Sequence, residues 1–165
     1  MKDGLPVRPT GDKVKGAVFN ILAPLIPEGH FLDLFAGSGA MGIEAWSRGA
    51  ASVVFVEKDR RVFAELQANL RTVGFTTAVC LQADYAVALE RLRGEPFDVI
   101  FIDPPYQSGL YLSALARIAE EGLLTERGVV CLEHLRDYAL PPDELWHILQ
   151  QKTYGDTAIT ILKRL

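Results

Sequence analysis

Val99-Ile100-Phe101-Ile102-Asp103-Pro104-Pro105-Tyr106 is the stretch on which the fold turns. A short apolar run rich in β-branched residues reads as a strand buried on both faces, the kind found in parallel sheets. Two prolines directly after it cannot continue the ladder, so the strand must end there. The chain then presents an acid, free backbone carbonyls and an aromatic ring at the carboxyl end of a central strand. In open α/β sheets that edge is where ligands bind. Acceptors beside a flat ring suit the holding of an exocyclic amine on a planar group while the ring stacks on its face.

Strand and helix patterns alternate on both sides of this stretch. Val14, Val18, Phe19, Leu22 and Leu25 fall on one helical face, with Thr10 as the expected cap and Pro24 and Pro27 near the stop. Strands are expected at Phe31–Phe35, Ser52–Val56, Ala78–Leu81, Asp98–Ile102 and Val129–Glu133. Helices are expected at Gly39–Arg48, Lys58–Val73, Tyr85–Leu92 and Leu110–Glu120, with Gly74 and Gly122 as stops. After Pro141-Pro142 come two further extended stretches, Trp146–Gln150 and Ala158–Leu162, which read as a closing hairpin. The pattern predicts an α/β fold built on a doubly wound, mostly parallel, seven-stranded sheet with an antiparallel C-terminal hairpin strand.

Composition narrows the class. The 165 residues suit one domain, residues 1–165, and 49% hydrophobic content argues against disorder over most of the length. The apolar runs stop far short of the ~20 residues a spanning helix needs, so no membrane is expected, and the chain reads as a cytoplasmic protein. Cys80 and Cys131 lie apart in strand-like runs and read as free buried thiols. His30, His134 and His147 make no ligand spacing with them, so no metal site is expected. A net charge of −4 argues against a surface that wraps nucleic acid all round, while leaving room for a local basic patch. Lys2, Arg8, Lys13 and Lys15 stand against Asp3 and Asp12 near the N-terminus, a set equally readable as a solvated helix face.

Gly37, Gly39 and Gly42 in Asp33-Leu-Phe-Ala-Gly37-Ser38-Gly39-Ala-Met-Gly42 match the G-x-G-x-x-G spacing after the first strand. Glycines there let the backbone turn tightly and approach a ligand. Glu57, eighteen residues after Gly39, ends the next strand and can accept both hydroxyls of a ribose. Together these indicate a nucleoside-containing cofactor. A dinucleotide would place pyrophosphate at the glycine turn. S-adenosylmethionine has no phosphate, and Asp33 favours it, because a carboxylate there repels pyrophosphate but can hold an α-ammonium. Asp84, after the third strand, is placed to accept from an adenine amine, or to cap the helix that begins at Tyr85.

Four segments carry a family resemblance: Arg8-Pro-Thr-Gly-Asp-Lys-Val-Lys15, Phe35-Ala-Gly-Ser-Gly-Ala-Met-Gly-Ile-Glu-Ala45, Asp103-Pro-Pro-Tyr106 and Tyr154-Gly-Asp-Thr-Ala158. They resemble the bacterial small-subunit ribosomal RNA guanine-N2 methyltransferases of the RsmD type, from about Leu5 to the C-terminus. The resemblance implies a Rossmann-like class I methyltransferase fold. It also implies methyl transfer from S-adenosylmethionine to the 2-amino group of a guanine in 16S ribosomal RNA, free or in a small-subunit assembly particle. With no obvious association stripe in the sequence, a monomer is expected. The resemblance assigns Asp33, Gly37, Ser38, Gly39, Glu57, Lys58, Asp84 and Tyr85 to the cofactor. Asp103, the Pro104 carbonyl and Tyr106 fall to the chemistry, with Asp103 and Pro104 accepting from the amine and Tyr106 stacking on the base. Arg8, Thr10, Asp12 and Pro105 go to the substrate mouth, with residues 1–28 contributing to that side. Members of that family carry a hairpin with a Gly-Arg pair upstream of the Arg-Pro-Thr segment, whereas seven residues precede Arg8 here, which bears on RNA affinity more than on the chemistry. An adenine-N6 methyltransferase acting on DNA uses similar pocket logic. A protein-glutamine methyltransferase resembles Asn-Pro-Pro-Tyr more closely. A nicotinamide-dependent oxidoreductase would leave Asp103-Pro-Pro-Tyr106 without a role, and a non-catalytic RNA-binding module would not need the cofactor residues.

Overall fold

A computed structural model describes residues 11–104, 109–141 and 143–165. Seven strands form one sheet: β1 (His30–Asp33), β2 (Ser52–Glu57), β3 (Val79–Gln82), β4 (Phe97–Ile102), β5 (Leu124–Leu135), β6 (Trp146–Tyr154) and β7 (Thr157–Arg164). Their order is β3-β2-β1-β4-β5-β7-β6. The first five run parallel, and β7 lies antiparallel between β5 and β6. Among the described residues five α-helices accompany them: α1 (Asp12–Leu22), α2 (Ala40–Ser47), α3 (Arg60–Val73), α4 (Tyr85–Arg91) and α5 (Leu110–Glu121). Strand order reverses between β1 and β4, and a crevice opens at such a switch point outside the carboxyl ends of the strands.

Both faces of the sheet are covered, which is why the central strands read as continuous apolar runs. Phe31, Phe55, Phe101 and Cys131 point into a core shared with α1, α2 and α3. Leu32, Val54, Ile100 and Leu132 point into a second core shared with α4 and α5. Val18, Phe19 and Leu22 of α1 are buried as their spacing predicts, and the Phe19 ring stacks on Phe31 at 6.0 Å. Two residues beyond Phe31, Phe55, Phe101 and Cys131, the same alternation reaches Asp33, Glu57, Asp103 and Glu133. Strands β1 and β2 therefore end in acids, with Asp103 just after β4 and Glu133 near the end of β5.

Several boundaries move for physical reasons. The N-cap of α1 is Gly11 and receives no side-chain cap, in place of the expected Thr10, which lies outside the described residues. Pro24 does not stop the chain's helical path at once but sits in a short 3₁₀ turn, Ala23–Leu25. Helix α3 starts at Arg60 because the Asp59 carboxylate accepts from Val62 N at 2.9 Å and so caps it. Strand β5 begins at Leu124 rather than Val129, through a register shift between Phe97 and Val99. At the shift, the Asp98 carboxylate accepts from His30 N at 2.8 Å and from the Thr125 hydroxyl at 2.9 Å. The hairpin strands are longer than their apolar patterns. Gln151, Lys152 and Thr153 belong to β6, which lies at the sheet edge, and an edge strand needs no apolar alternation to pair.

Packing of α2 on β2 is set by Gly42. A Cβ there would meet the Phe55 ring at 2.3 and 2.7 Å and Val53 Cγ1 at 2.9 Å. Neither neighbour can retreat, since both are buried in the core. Ala gains about 1 kcal/mol over Gly in helix propensity, but overpacking costs about 1–3 kcal/mol, and contacts this short belong at the upper end. We expect Gly42→Ala to destabilise the fold by about 1–2 kcal/mol in urea denaturation. Gly16→Ala in α1, where nothing lies within 4 Å of the added carbon, should be neutral or stabilising.

Candidate active site

The site begins at the turn between β1 and α2. Gly37 and Gly39 have φ of +55° and +89°, a left-handed backbone that lets the chain reverse directly into the helix. Two carboxylates hold this turn. Asp33 Oδ2 accepts from Gly42 N at 3.1 Å. Glu57 Oε1 accepts from Gly37 N at 3.0 Å, while its Oε2 accepts from Asp59 N at 2.8 Å. The Ser38 carbonyl accepts from the Asn69 amide of α3 at 2.9 Å. Glu57 thus ties the glycine turn to the start of α3. Two of its roughly four lone-pair sites stay available for a ligand.

Asp33 is 1% exposed. Burial pushes its carboxyl up from the ordinary 3.8 to about 7; the Gly42 N–H opposes that rise and the neighbouring Glu57 charge adds to it. A carboxyl in this condition gains from any cation brought beside it.

Beyond the turn lies a cavity of about 1260 Å³ along the carboxyl ends of β1, β2, β4 and β5. Single-ligand pockets run to about 300–1,000 Å³, so this one has room for two groups side by side. Asp33, Gly37, Ser38, Glu57, Lys58, Asp84, Tyr85, Asp103 and Pro104 all line it, so the structure brings together most of the residues picked from the sequence. Gly39 shapes the turn without lining the cavity. Asp84 serves as the cap of α4, accepting from Ala86 N at 3.2 Å, and it faces the cavity as well. The Tyr85 ring packs against Phe35 at 5.6 Å and gives that end an aromatic wall. Among the described lining residues six are acids, Asp33, Glu57, Asp59, Asp84, Asp103 and Glu133, against the single cation Lys58. Such a wall attracts a cationic ligand and repels a pyrophosphate.

The second half of the cavity is formed by β5 and the residues around it. Glu133, His134, Tyr111 and Tyr138 line it, and the sequence reading assigned none of them. The Tyr111 hydroxyl donates to the Glu133 carbonyl at 2.8 Å. Burial, then the Asp103 charge, pushes that hydroxyl up, so it stays a donor. The His134 ring lies 2.8 Å from the Leu135 carbonyl and 2.7 Å from the Thr160 hydroxyl. The Tyr138 ring lies 4.9 Å from Tyr111 and 5.4 Å from His134. Glu133 had a signal in the sequence: an acid closing an apolar run, as at Asp33 and Glu57.

Not every expected residue gathers here. The Asp12 side chain is fully exposed at the start of α1, within 3.9 Å of Lys15, and does not line the cavity. Arg8, Thr10, Pro105 and Tyr106 lie outside the described residues. Among the described residues no three His, Cys, Asp or Glu side chains are grouped to hold a metal, and no helix is long and apolar enough to cross a membrane.

Comparison with known proteins places this arrangement. A solved structure from Escherichia coli superposes with a TM-score of 0.87 at 33% identity, covering 96% of this chain and 89% of that one. The fold is the Rossmann-like one of class I methyltransferases. Ribosomal RNA small subunit methyltransferase D of Escherichia coli (strain K12) is 34% identical over 163 residues, 98% of this chain and 82% of the relative. Its namesake in Haemophilus influenzae is 38% identical over 152 residues, 90% and 79% of the two chains. Residues 1–163 match the family described as Conserved hypothetical protein 95. The chain belongs to this family, the RsmD-type methyltransferases.

Proposed function

We propose that this protein transfers a methyl group from S-adenosylmethionine to the exocyclic 2-amino group of a guanine in 16S ribosomal RNA. One observation carries the reading: an acid-walled cavity spans the switch point, with the glycine turn at one end and the Asp103-Pro104 acceptors at the other. The names of the relatives support RNA of the small subunit as the substrate class. The acceptor is that RNA, free or in an assembly particle, and the working unit is a cytoplasmic monomer.

The donor set fits a cationic nucleoside. Asp33 would hold an α-ammonium, directly or through water, and Glu57 would accept from ribose hydroxyls with its remaining lone pairs. Asp84, beside the Tyr85 ring, would accept from the adenine amine. When bound, S-adenosylmethionine supplies an electrophilic methyl group on a sulfonium. The chain's part is to prepare the amine. A guanine amine is a poor nucleophile because its lone pair is delocalised into the ring. Asp103 and the Pro104 carbonyl, aimed at its two hydrogens, favour a tetrahedral nitrogen and stabilise the positive charge that develops there. Positioning supplies much of the rate. On transfer of that methyl from sulfur to the amine nitrogen, Asp103 or water would take the amine proton released. Tyr106 stacks on the base, offsetting part of the few kcal/mol that extrusion costs.

The direct test is methyl transfer from labelled S-adenosylmethionine to 16S RNA and to small-subunit particles lacking the modification, read by nucleoside analysis. N2-methylguanosine is expected; N6-methyladenosine, or no product with either substrate, would overturn the reading. Asp103→Ala should keep cofactor affinity yet lose about 10²–10³-fold in kcat. Asp33 gives a pH signature. Its ionised form attracts the ammonium, so S-adenosylmethionine affinity should weaken as pH falls through about 7, in calorimetry between pH 5.5 and 8. Asp33→Asn should bind more weakly and lose that dependence.

A further inference from the structure

An amine acceptor pair does not by itself choose a base. Asp103 and the Pro104 carbonyl would hold the 6-amino group of adenine as readily as the 2-amino group of guanine. The bases differ at the ring nitrogen beside the amine. In guanine, N1 carries a hydrogen and donates. In adenine, N1 bears a lone pair and accepts. A fixed carboxylate beside the amine site therefore rewards guanine and repels adenine.

Glu133 occupies such a place. Strands β4 and β5 pair Phe101 with Cys131 and Ile102 with Leu132, and Asp103 and Glu133 are the residues that follow this last pair. Both residues line the same cavity. Both charges act on the buried Cys131 thiol, which lies on the face they share. Glu133 is 8% exposed, too buried for its charge to serve solubility. Its backbone is held on each side. Tyr111 donates to its own carbonyl, and the next residue, His134, is fixed against Leu135 and Thr160. A carboxylate can accept from several partners at once. We propose that Glu133 is a specificity-determining residue that accepts from guanine N1–H while Asp103 and Pro104 hold the 2-amino group. This assignment rests on the guanine-N2 reading above.

The probe is 16S RNA carrying either guanine or 2-aminopurine at the position that the wild-type enzyme methylates. 2-Aminopurine keeps the 2-amino group and has no N1–H. Wild-type enzyme should prefer guanine in kcat/KM by at least about tenfold, because a site built to bond a donor rejects the analogue lacking it. In Glu133→Gln the amide can turn to donate to the bare N1, so the preference should narrow to within about threefold. S-adenosylmethionine affinity and thermal unfolding, measured on the same variant, separate this from a folding defect. If Glu133→Gln does not fold, the wild-type ratio still decides, and equal use of the two bases would overturn the proposal. So would an unchanged preference in a folded Glu133→Gln. Wild-type product that is N2-methylguanosine with either of those results overturns only the role of Glu133. Product that is N6-methyladenosine, or no product, overturns the guanine reading and this proposal together.

Discussion

A single hydrogen bond from Gly42 N to Asp33 Oδ2, 3.1 Å long and fully buried, ties the first turn of α2 to the end of β1. The rest of the site depends on it. Helix α2 can come close enough to make that bond only because residue 42 has no side chain to strike Phe55. With α2 seated, the chain between Asp33 and Ala40 has no slack and must reverse through left-handed residues at Gly37 and Gly39. That reversal turns the Gly37 N–H toward Glu57, and Glu57 in turn fixes the start of α3. Steric clearance at one helical position thus propagates into the geometry of two loops and two acids.

Much of this was legible in the sequence, for identifiable reasons. The buried parallel strands announce themselves because both faces are apolar, and the prolines after Ile102 mark where β4 must end. The glycine spacing locates the turn, and acids at the ends of apolar runs locate the cavity. Less legible was whatever depends on partners rather than on local pattern. Residues Gln151 to Thr153 belong to β6 because β7 pairs with them, while their own alternation suggests nothing. Leu124 joins β5 because Asp98 bonds to both His30 and Thr125 and lets the ladder shift. Tyr111 and Tyr138 enter the cavity wall from α5 and from the loop after β5, segments that no motif marks.

Asp84 shows where motif reading and local structure coincide. A helix cap and an adenine acceptor are alternative readings of one carboxylate, yet the side chain does the first and still faces the cavity. Glu57 is similar, since bracing backbone N–H groups consumes only part of its acceptor capacity. One carboxylate can thus both brace the backbone and face a ligand. Rigid internal bonds hold the same oxygens that a ligand would meet, so less ordering is required on binding.

The acid wall also imposes a constraint on function. Carboxylates in one cleft resist desolvation and repel each other, and the raised pKa of Asp33 follows from its burial first and from the Glu57 charge last. Without a cation beside it, burial pushes the Asp33 carboxyl toward its protonated form. With a cationic cofactor, relief comes from the ligand, and Asp33 can ionise. On the proposed reading, the ammonium and sulfonium charges would also moderate the repulsion that the cleft exerts on a polyanionic RNA. Only a neutral base edge, rich in donors, then needs to enter. The phosphates need not enter the cleft. On that reading a net negative chain and a nucleic acid substrate are compatible, because the acids that oppose the RNA backbone would serve the cofactor and the base.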